Sequence, residues 1–158
     1  MKTIDQSRSV LSEMMLPNQA NPSGTVHGGE IMKLMDACGG VAATRHAKTN
    51  VVTVRVDELL FLKPIFVGQL VICESELVFV GKSSMEVKIT VKVENLTDDS
   101  PSIIALTAFF TYVAIDKNRK PCIVPELLLM TDEQITAFED GKKRYLAHKE
   151  KIINNSQC

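Results

Sequence analysis

The chain has 158 residues, of which 45% are hydrophobic and 23% are charged, and its formal net charge is -1. This length is typical of one globular domain, and a near-neutral balance argues against a general nucleic-acid-binding protein, which would carry a basic surface. The first fifteen residues have charged or polar side chains every few positions. They resemble neither a signal peptide nor a membrane span, so we expect a cytoplasmic protein.

The four cysteines, Cys38, Cys73, Cys122 and Cys158, do not form the close pairs found in zinc sites or redox dithiols. Cys38 and Cys73 lie among apolar residues, so we interpret them as small core residues. A nucleophilic cysteine is an alternative, but no neighbouring histidine marks an activated thiol. The three histidines are not spaced as metal ligands either, so we expect no metal.

Periodic patterns predict the first elements. Loose alternation over residues 8–16 predicts a strand, and the next eight residues, PNQANPSG, are typical of a loop. From residue 28 to residue 47 the apolar residues recur at helical intervals. Gly39 and Gly40 lie inside this predicted helix, where each glycine costs about 1 kcal/mol against alanine. We therefore expect a deeply buried helix, with another backbone in close contact at the glycine pair.

Four later segments have the composition of strands and cover residues 51–62, 69–80, 84–95 and 103–115. Alternation from Met85 to Val93 predicts one apolar face and one face in contact with solvent. Thr131 then begins a helix, with Gln134 at the capping-box spacing. This helix is expected to extend to about Lys151, followed by a frayed tail over residues 153–158.

The connections between strands are mostly short, which favours antiparallel pairing. The sequence therefore predicts an α+β protein in which an antiparallel sheet wraps around a central helix, followed by a C-terminal helix. We assign residues 1–120 to this domain. Residues 121–158 form a C-terminal extension with an amphipathic helix.

An ordered set of motifs covers most of residues 8–115. The motifs are Asn21, GTVHGG (24–29), MKLMD (32–36), ATRH (43–46), NVVTV (50–54), Phe61 with Pro64 and Gly68, GKSSMEV (81–87) and AFFTY (108–112), and the tail segment EDGKKRYL (139–146) accompanies them. This set resembles the hotdog fold and, within it, the cytosolic-type acyl-CoA thioesterases. A single H-G-G run would be weak evidence, whereas the ordered set is specific.

The resemblance implies hydrolysis of acyl-CoA to a free carboxylic acid and CoA, with no metal or redox cofactor. It also implies a homo-oligomer with its sites at a dimer interface, often assembled as a trimer of dimers. In such enzymes the reactive carboxylate comes from the central helix of one subunit and an asparagine comes from the partner. By position these residues are Asp36 and Asn21.

Asp36 stands between apolar residues of the predicted helix, two turns beyond Gly28, so we expect it deeper along the same groove. An ionised carboxylate there can act as a general base or as a nucleophile, and both roles remain open. One alternative is a surface ion pair of Asp36 with Lys33. For Asn21 the alternative is a loop-capping role.

Gly28 and Gly29 stand where the first N–H groups of a helix are unpaired and where the helix dipole favours an anion. Glycines let a substrate carbonyl approach the main chain, so we interpret these N–H groups as an oxyanion hole. The alternative is that the glycines only permit a tight turn. His27, directly before them, fits a loop hydrogen-bonding role better than a direct one.

CoA carries a 3′-phosphate and a pyrophosphate, so a nearly neutral protein needs a local basic patch to bind it. Lys142, Lys143 and Arg144 are the main candidates, helped by Lys82 and Arg55, although such a cluster is often only a solvated helix face. The resemblance places Arg144 against the CoA phosphates.

The pantetheine arm of CoA needs backbone partners along a strand. The resemblance assigns it to two segments, namely Val54, Arg55 and Val56, and Ser83, Ser84 and Met85. Ordinary strand pairing is the alternative for both.

Two other functions are compatible with this fold. A hydratase or dehydratase acting on enoyl or hydroxyacyl thioesters pairs a histidine with a carboxylate, and His27 fits that arrangement poorly. A non-catalytic acyl-CoA-binding sensor carries an added DNA-binding segment, for which we expect no room before the first strand. The acyl preference stays open, because the depth of the groove depends on how Met32, Met35, Phe61 and the partner chain pack, and methionine adapts to many shapes.

Overall fold

A computed structural model describes residues 1–57 and 59–157. The strands are β1 (Lys2–Thr3), β2 (Ser9–Met14), β3 (Asn50–Asp57), β4 (Leu70–Val80), β5 (Ser84–Glu94), β6 (Ile103–Ile115) and β7 (Leu127–Leu128). The two α-helices are α1 (Gly28–Ala47) and α2 (Asp132–Asn155), and short 3-10 turns cover Ile4–Gln6 and Pro17–Gln19. Across the described residues, no helix has the length and apolar character needed to span a membrane.

Five strands form one antiparallel sheet in the order β2–β4–β5–β6–β3, while β1 and β7 form a separate parallel pair. The sheet curls around α1, whose residues Ile31, Met35, Cys38 and Ala42 are buried against it. The β-branched and apolar residues on the inner face of each strand supply the rest of the core. The predicted α+β architecture is confirmed, including the C-terminal helix.

The predicted strand over residues 51–62 is too long. β3 ends at Asp57, and Glu58 lies outside the described residues. Residues 59–62, LLFL, lack alternation and therefore offer no separate inner face to a sheet. Instead, Phe61 packs against Gly28 at the start of α1.

β3 is an edge strand with a bulge at Val54. Thr53 pairs with Tyr112 and Arg55 pairs with the adjacent Thr111, so Val54 is the extra residue. Because side chains alternate along β6, Thr53 faces α1 beside Tyr112, whereas Arg55 faces the opposite side. No strand in the described part of the chain pairs with the outer edge of β3.

α1 is buried on one face only, which corrects the expectation of a deeply buried helix. The sheet covers the apolar stripe of α1, and the opposite side faces outward in the single chain. The outward side carries Met32, Lys33, Asp36, Ala37, Thr44 and Arg45.

The glycine pair in α1 accommodates a side chain and not another backbone. A Cβ atom at Gly39 would lie 2.5 Å from the Tyr112 hydroxyl oxygen and 2.8 Å from Ile89 Cδ1. At Gly40 the nearest atom is Tyr112 Cε1 at 3.9 Å, an ordinary contact distance. Only Gly39 is therefore needed for Tyr112 to reach the helix.

We expect Gly39→Ala to lower the free energy of unfolding by about 1–3 kcal/mol, because Tyr112 and Ile89 must shift to admit the methyl group. Gly40→Ala is the matched control, since it brings the same gain in helix propensity, up to about 1 kcal/mol, without the clash. Urea unfolding followed by circular dichroism measures both. A Gly39→Ala protein as stable as Gly40→Ala would contradict this packing role.

α2 packs across the outer face of the sheet, so the predicted solvent-facing side of β5 is wrong at Glu86. This residue is only 5% exposed, and Arg144 binds its carboxylate through Nε at 3.0 and 3.2 Å and Nη2 at 2.6 Å. The Arg144 guanidinium also lies 3.9 Å from the centroid of the Phe109 ring. Burial raises the pKa of Glu86, and the Arg144 pair opposes that shift.

The start of α2 forms half of the predicted capping box, because the Gln134 side chain binds the Met130 N–H and not the N-cap N–H of Thr131. Thr131 Oγ1 accepts a hydrogen bond from the Gln134 backbone N–H at 3.2 Å, and Gln134 Oε1 accepts one from Met130 N–H at 2.7 Å. The end of α2 differs from the prediction, because residues 153–155 are helical and Ser156 Oγ donates to the Ile152 carbonyl at 2.8 Å. The predicted frayed end at Cys158 lies outside the described residues.

Residues 121–130 connect the sheet to α2 and take part in the main core. Val124 and Leu127 belong to the same buried cluster as α1. His46 Nε2 on α1 lies 2.7 Å from the Pro125 carbonyl oxygen. The division of the chain after residue 120 stays a prediction.

Candidate active site

Two hydroxyl groups of the sheet hold the carboxylate of Asp36 on α1. Thr53 Oγ1 donates to Asp36 Oδ1 at 2.6 Å. The Tyr112 hydroxyl lies 3.2 Å from the same oxygen and 2.9 Å from the Asp36 backbone carbonyl. Thr53 and Tyr112 are cross-strand partners, so one row of the sheet presents both groups to α1. The ion pairs found in residues 1–57 and 59–157 do not join Asp36 to Lys33, so the surface ion-pair alternative is not supported.

The Asp36 side chain is exposed in the single chain, so one chain alone does not form the enclosed groove that we expected. Met32, one turn earlier on the same side of α1, is 36% exposed, and Val54 on the edge strand is 54% exposed. Apolar side chains beside an open strand edge are typical of a surface that another chain covers.

The backbone at Gly28 and Gly29 does not require glycine. The glycines with positive φ are Gly24 and Gly68, so neither Gly28 nor Gly29 is needed for a tight turn. A Cβ at Gly29 would meet nothing within 4 Å among the described residues, and one at Gly28 would lie 3.3 Å from Phe61 Cζ. The tight-turn alternative therefore has no conformational basis. Both residues belong to the first turn of α1, where backbone N–H groups lack partners within the helix.

A mostly apolar cavity of about 280 Å³ opens beside this first turn. Its lining includes Val26, Ile31, Phe61, Pro64 and Ile65, together with Gly28. Its volume lies below the usual range for pockets that hold a whole drug-sized ligand, about 300–1,000 Å³. The cavity is therefore suited to a short apolar chain and not to a complete nucleotide-containing molecule.

Gly28 and Asp36 are far apart within one chain. Eight residues of α-helix separate them, which corresponds to about 12 Å along the helix axis. A single carbonyl group cannot contact both the Gly28 N–H and the Asp36 carboxylate across that distance. The expected groove along α1 stays a prediction, and a site that uses both kinds of group needs them from different chains.

Asn21 stabilises the loop before α1. Its Oδ1 accepts hydrogen bonds from Ser23 N at 3.0 Å, Ser23 Oγ at 2.6 Å and Thr25 N at 3.3 Å, and its Nδ2 donates to Thr25 Oγ1 at 2.8 Å. These contacts match the loop-capping alternative. A primary amide nitrogen carries two hydrogens, so Nδ2 has a second one to donate. His27 is exposed, and its backbone N–H donates to the Gln19 carbonyl at 2.9 Å.

The two segments predicted to bind pantetheine lie near the row that holds Asp36. Met85 pairs with Tyr112, which pairs with Thr53. In the single chain the Met85 side chain is buried, and the Ser83 carbonyl accepts from Ala114 N–H at 2.9 Å, so ordinary strand pairing accounts for much of that segment.

The other predicted CoA contacts lie elsewhere on the sheet. Val54, Arg55 and Val56 follow Thr53 along the open edge. Arg144 lies on the opposite face from α1, 25% exposed in its pair with Glu86. All of these CoA contacts stay predictions.

Thr53 and Tyr112 are site residues that sequence reasoning missed. Both lie in motifs that carry the family resemblance, NVVTV and AFFTY. Tyr112 lies on the same buried face of β6 as Ala108, Phe110 and Ala114. Tyr112 carries the hydroxyl group among these inward-facing residues, and a buried tyrosine hydroxyl usually has a hydrogen-bond partner. This feature of the sequence could have identified Tyr112.

Comparisons with known proteins identify the family of this chain. Residues 23–99 match the family model described as "Thioesterase superfamily". The cytosolic acyl coenzyme A thioester hydrolase of Rattus norvegicus is 39% identical over 150 residues, which cover 94% of this chain and 39% of the relative. This chain therefore spans about two-fifths of the length of that relative.

Solved structures extend the similarity to the fold. The hexameric thioesterase y2039 of Yersinia pestis has 39% identity and a TM-score of 0.69, covering 75% of this chain and 95% of its own. An acyl-CoA hydrolase of Staphylococcus aureus, solved in complex with butyryl-CoA and CoA, has 26% identity and a TM-score of 0.89, covering 99% of this chain and 96% of its own. Its structures include variants in which one Asp, one Asn or one Thr is replaced by Ala. The chain belongs to the hotdog-fold acyl-CoA thioester hydrolases of the thioesterase superfamily.

Proposed function

We propose that this protein hydrolyses acyl-CoA thioesters to a carboxylic acid and CoA, without a metal or redox cofactor, at sites formed between two copies of the chain. The observation that carries this proposal is the Asp36 carboxylate. Thr53 and Tyr112 hold its Oδ1, and the side chain is exposed beside an open strand edge. A carboxylate presented in this way can act on an electrophile held by a second chain.

Residue spacing in a structural relative supports this site. In the S. aureus acyl-CoA hydrolase, the substituted Asn and Asp lie fifteen positions apart, and the Asp and Thr lie seventeen positions apart. Asn21, Asp36 and Thr53 have the same spacing here. We therefore assign the three residues to one functional unit, with Thr53 added to the pair that the resemblance implied.

The chemistry follows from the thioester. In the general-base route, Asp36 Oδ2 takes a proton from water while the water oxygen bonds to the thioester carbon. In the nucleophilic route, Oδ2 itself bonds to that carbon and water later cleaves the acyl-enzyme anhydride. Either tetrahedral intermediate carries an oxyanion, and its collapse breaks the carbon–sulfur bond. CoA leaves as thiolate and is protonated from solvent.

The oxyanion would be stabilised by the first-turn N–H groups of a partner chain. Gly28 and Asp36 of one chain lie about 12 Å apart along α1, so each site needs its donors and its carboxylate from different copies. Asn21 precedes Gly28 by seven residues in the same short loop and would enter the site with it. The apolar cavity beside Gly28 would take the acyl chain.

The assembly proposed from this arrangement is a homodimer, and the hexameric relatives favour three such dimers. The exposed Met32 and Val54 and the open edge of β3 would be covered in the dimer. The CoA contacts of Val54–Val56, Ser83–Met85 and Arg144 remain part of the proposal. A cytoplasmic location stays a prediction.

Assaying CoA release from a series of acyl-CoA chain lengths with a thiol reagent tests this function. We expect hydrolysis of short or medium acyl-CoA, because the cavity is small. Crotonyl-CoA in the same series separates the alternatives, since a hydratase would add water to its double bond and leave the thioester intact. Hydration without CoA release, or tight binding of every acyl-CoA without turnover, would contradict the proposal.

A further inference from the structure

The Tyr112 hydroxyl is set apart from the rest of the core by its contacts. The side chain is 1% exposed and lies on the apolar inner face of β6. Its hydroxyl reaches across to α1, at 2.9 Å from the Asp36 carbonyl oxygen and 3.2 Å from Asp36 Oδ1. A hydroxyl has one hydrogen to donate, so the same donor serves the backbone and the carboxylate of residue 36.

We propose that Tyr112 is a positioning residue that, together with Thr53, fixes Asp36 Oδ1 and thereby selects Oδ2 as the oxygen that acts on the substrate. This inference rests on the proposed hydrolysis at Asp36. Both hydroxyl contacts fall on Oδ1, while no hydrogen bond to Oδ2 is found among the described residues. The Tyr112 contact with the Asp36 carbonyl ties the side-chain orientation to the helix backbone.

The surroundings make Tyr112 a permanent donor. Burial raises the pKa of its hydroxyl, and the adjacent Asp36 charge raises it further, so the group stays protonated at all pH values at which the protein is studied. Gly39 leaves the space that the hydroxyl occupies, since a Cβ there would lie 2.5 Å from the oxygen. The absence of a side chain at residue 39 therefore serves the placement of this hydroxyl.

Tyr112→Phe tests the proposal, because it removes the hydroxyl and keeps the ring. We expect kcat for acyl-CoA hydrolysis to fall about tenfold to a hundredfold, the effect of losing a hydrogen bond to a charged group. KM should change less than about twofold, since the ring does not contact substrate. In the Asp36→Asn background, Tyr112→Phe should lower the residual turnover no further, because the hydroxyl acts only through that carboxylate.

Tyr145→Phe is the matched control. It removes a tyrosine hydroxyl on α2, where the ring packs against Phe79 on the other face of the sheet, and we expect its kcat and KM to match the wild type. If Tyr112→Phe does not fold by circular dichroism, Gly39→Ala carries the test, since it displaces the hydroxyl without removing it and should give the same fall in kcat.

The possible failures are distinguishable. Wild-type kcat in Tyr112→Phe, with Asp36→Asn inactive, would overturn the positioning role and leave the proposed function standing. A wild-type protein that releases no CoA from any acyl-CoA would overturn the proposed function itself.

Discussion

Asp36→Asn is expected to lower the turnover of acyl-CoA by about a thousandfold, which is the range for loss of a positioned base. Asparagine keeps an oxygen that can accept the hydrogen bonds of Thr53 and Tyr112, so the fold and the oligomer should persist. The amide lacks the charge needed to take a proton from water or to attack the thioester. CoA release measured with a thiol reagent, and mass by light scattering, test the two statements separately.

Asp140→Asn is the control for the loss of one carboxylate. Asp140 lies on α2 in an exposed pair with Lys143 at 3.6 Å, far from α1 in the fold, and its substitution should leave turnover unchanged. Turnover of Asp36→Asn within tenfold of wild type, with Asp140→Asn also normal, would remove Asp36 from the reactive role.

Gly28→Pro is expected to lower kcat by about a hundredfold to a thousandfold, because it deletes one backbone N–H donor to the oxyanion. Proline is favoured at the first helical position, which is residue 28. The preceding residue, His27, has φ -57° and ψ 131°, a conformation that a following proline accepts. The substitution is therefore one of the few ways to remove a main-chain donor without breaking the helix.

Gly28→Ala is the matched variant, since it introduces the same Cβ contact with Phe61 at 3.3 Å and keeps the N–H group. We expect it to retain most of the wild-type kcat. If both variants lose activity equally, the contact with Phe61 explains the loss and the oxyanion role of Gly28 is not supported.

Mixing Asp36→Asn with Gly28→Pro tests whether each site uses two chains. In a mixed dimer, one site combines both lesions and the other is intact. After subunit exchange from equal amounts, half of the dimers are mixed, so activity should return to about one quarter of wild type. Activity that stays at the level of the separate variants, with exchange verified by mass spectrometry of tagged chains, would contradict the two-chain site.

The sequence predicted the helices and the antiparallel sheet well because their signals are local. α1 and β6 begin and end at the predicted residues, since the helical period and the strand composition change sharply there. The end of β3 was not predicted, because an apolar run such as LLFL is compatible with a strand or with packing against another element. The contact of Phe61 with Gly28 in the folded protein favours the second of these.

The site was predicted in part. The residue types of Asp36, Gly28 and Gly29 drew attention to the start of α1. The sequence pattern did not reveal that about 12 Å of helix keeps Gly28 and Asp36 of one chain from contacting the same carbonyl group. Thr53 and Tyr112 were missed because their role depends on cross-strand pairing and on a helix crossing that pair. The exposure of Asp36 could have been foreseen, because residue 36 lies off the apolar stripe and the opposite side of such a helix faces outward. Its apolar neighbours in the sequence led to the wrong expectation.

The bulge at Val54 divides β3 into two halves whose side-chain alternation is out of step. Before it, Thr53 turns toward the carboxylate on α1, and after it, Asp57 turns toward α2, where its Oδ2 lies 3.1 Å from His148 Nε2. Removing Val54 would place Thr53 and Arg55 opposite the adjacent Tyr112 and Thr111 in a regular ladder, and both halves would keep their present sides. Pairing with β6 thus does not require the extra residue, so we expect a deletion of Val54 to change the exposed edge of β3, where this side chain is 54% exposed, more than the sheet itself.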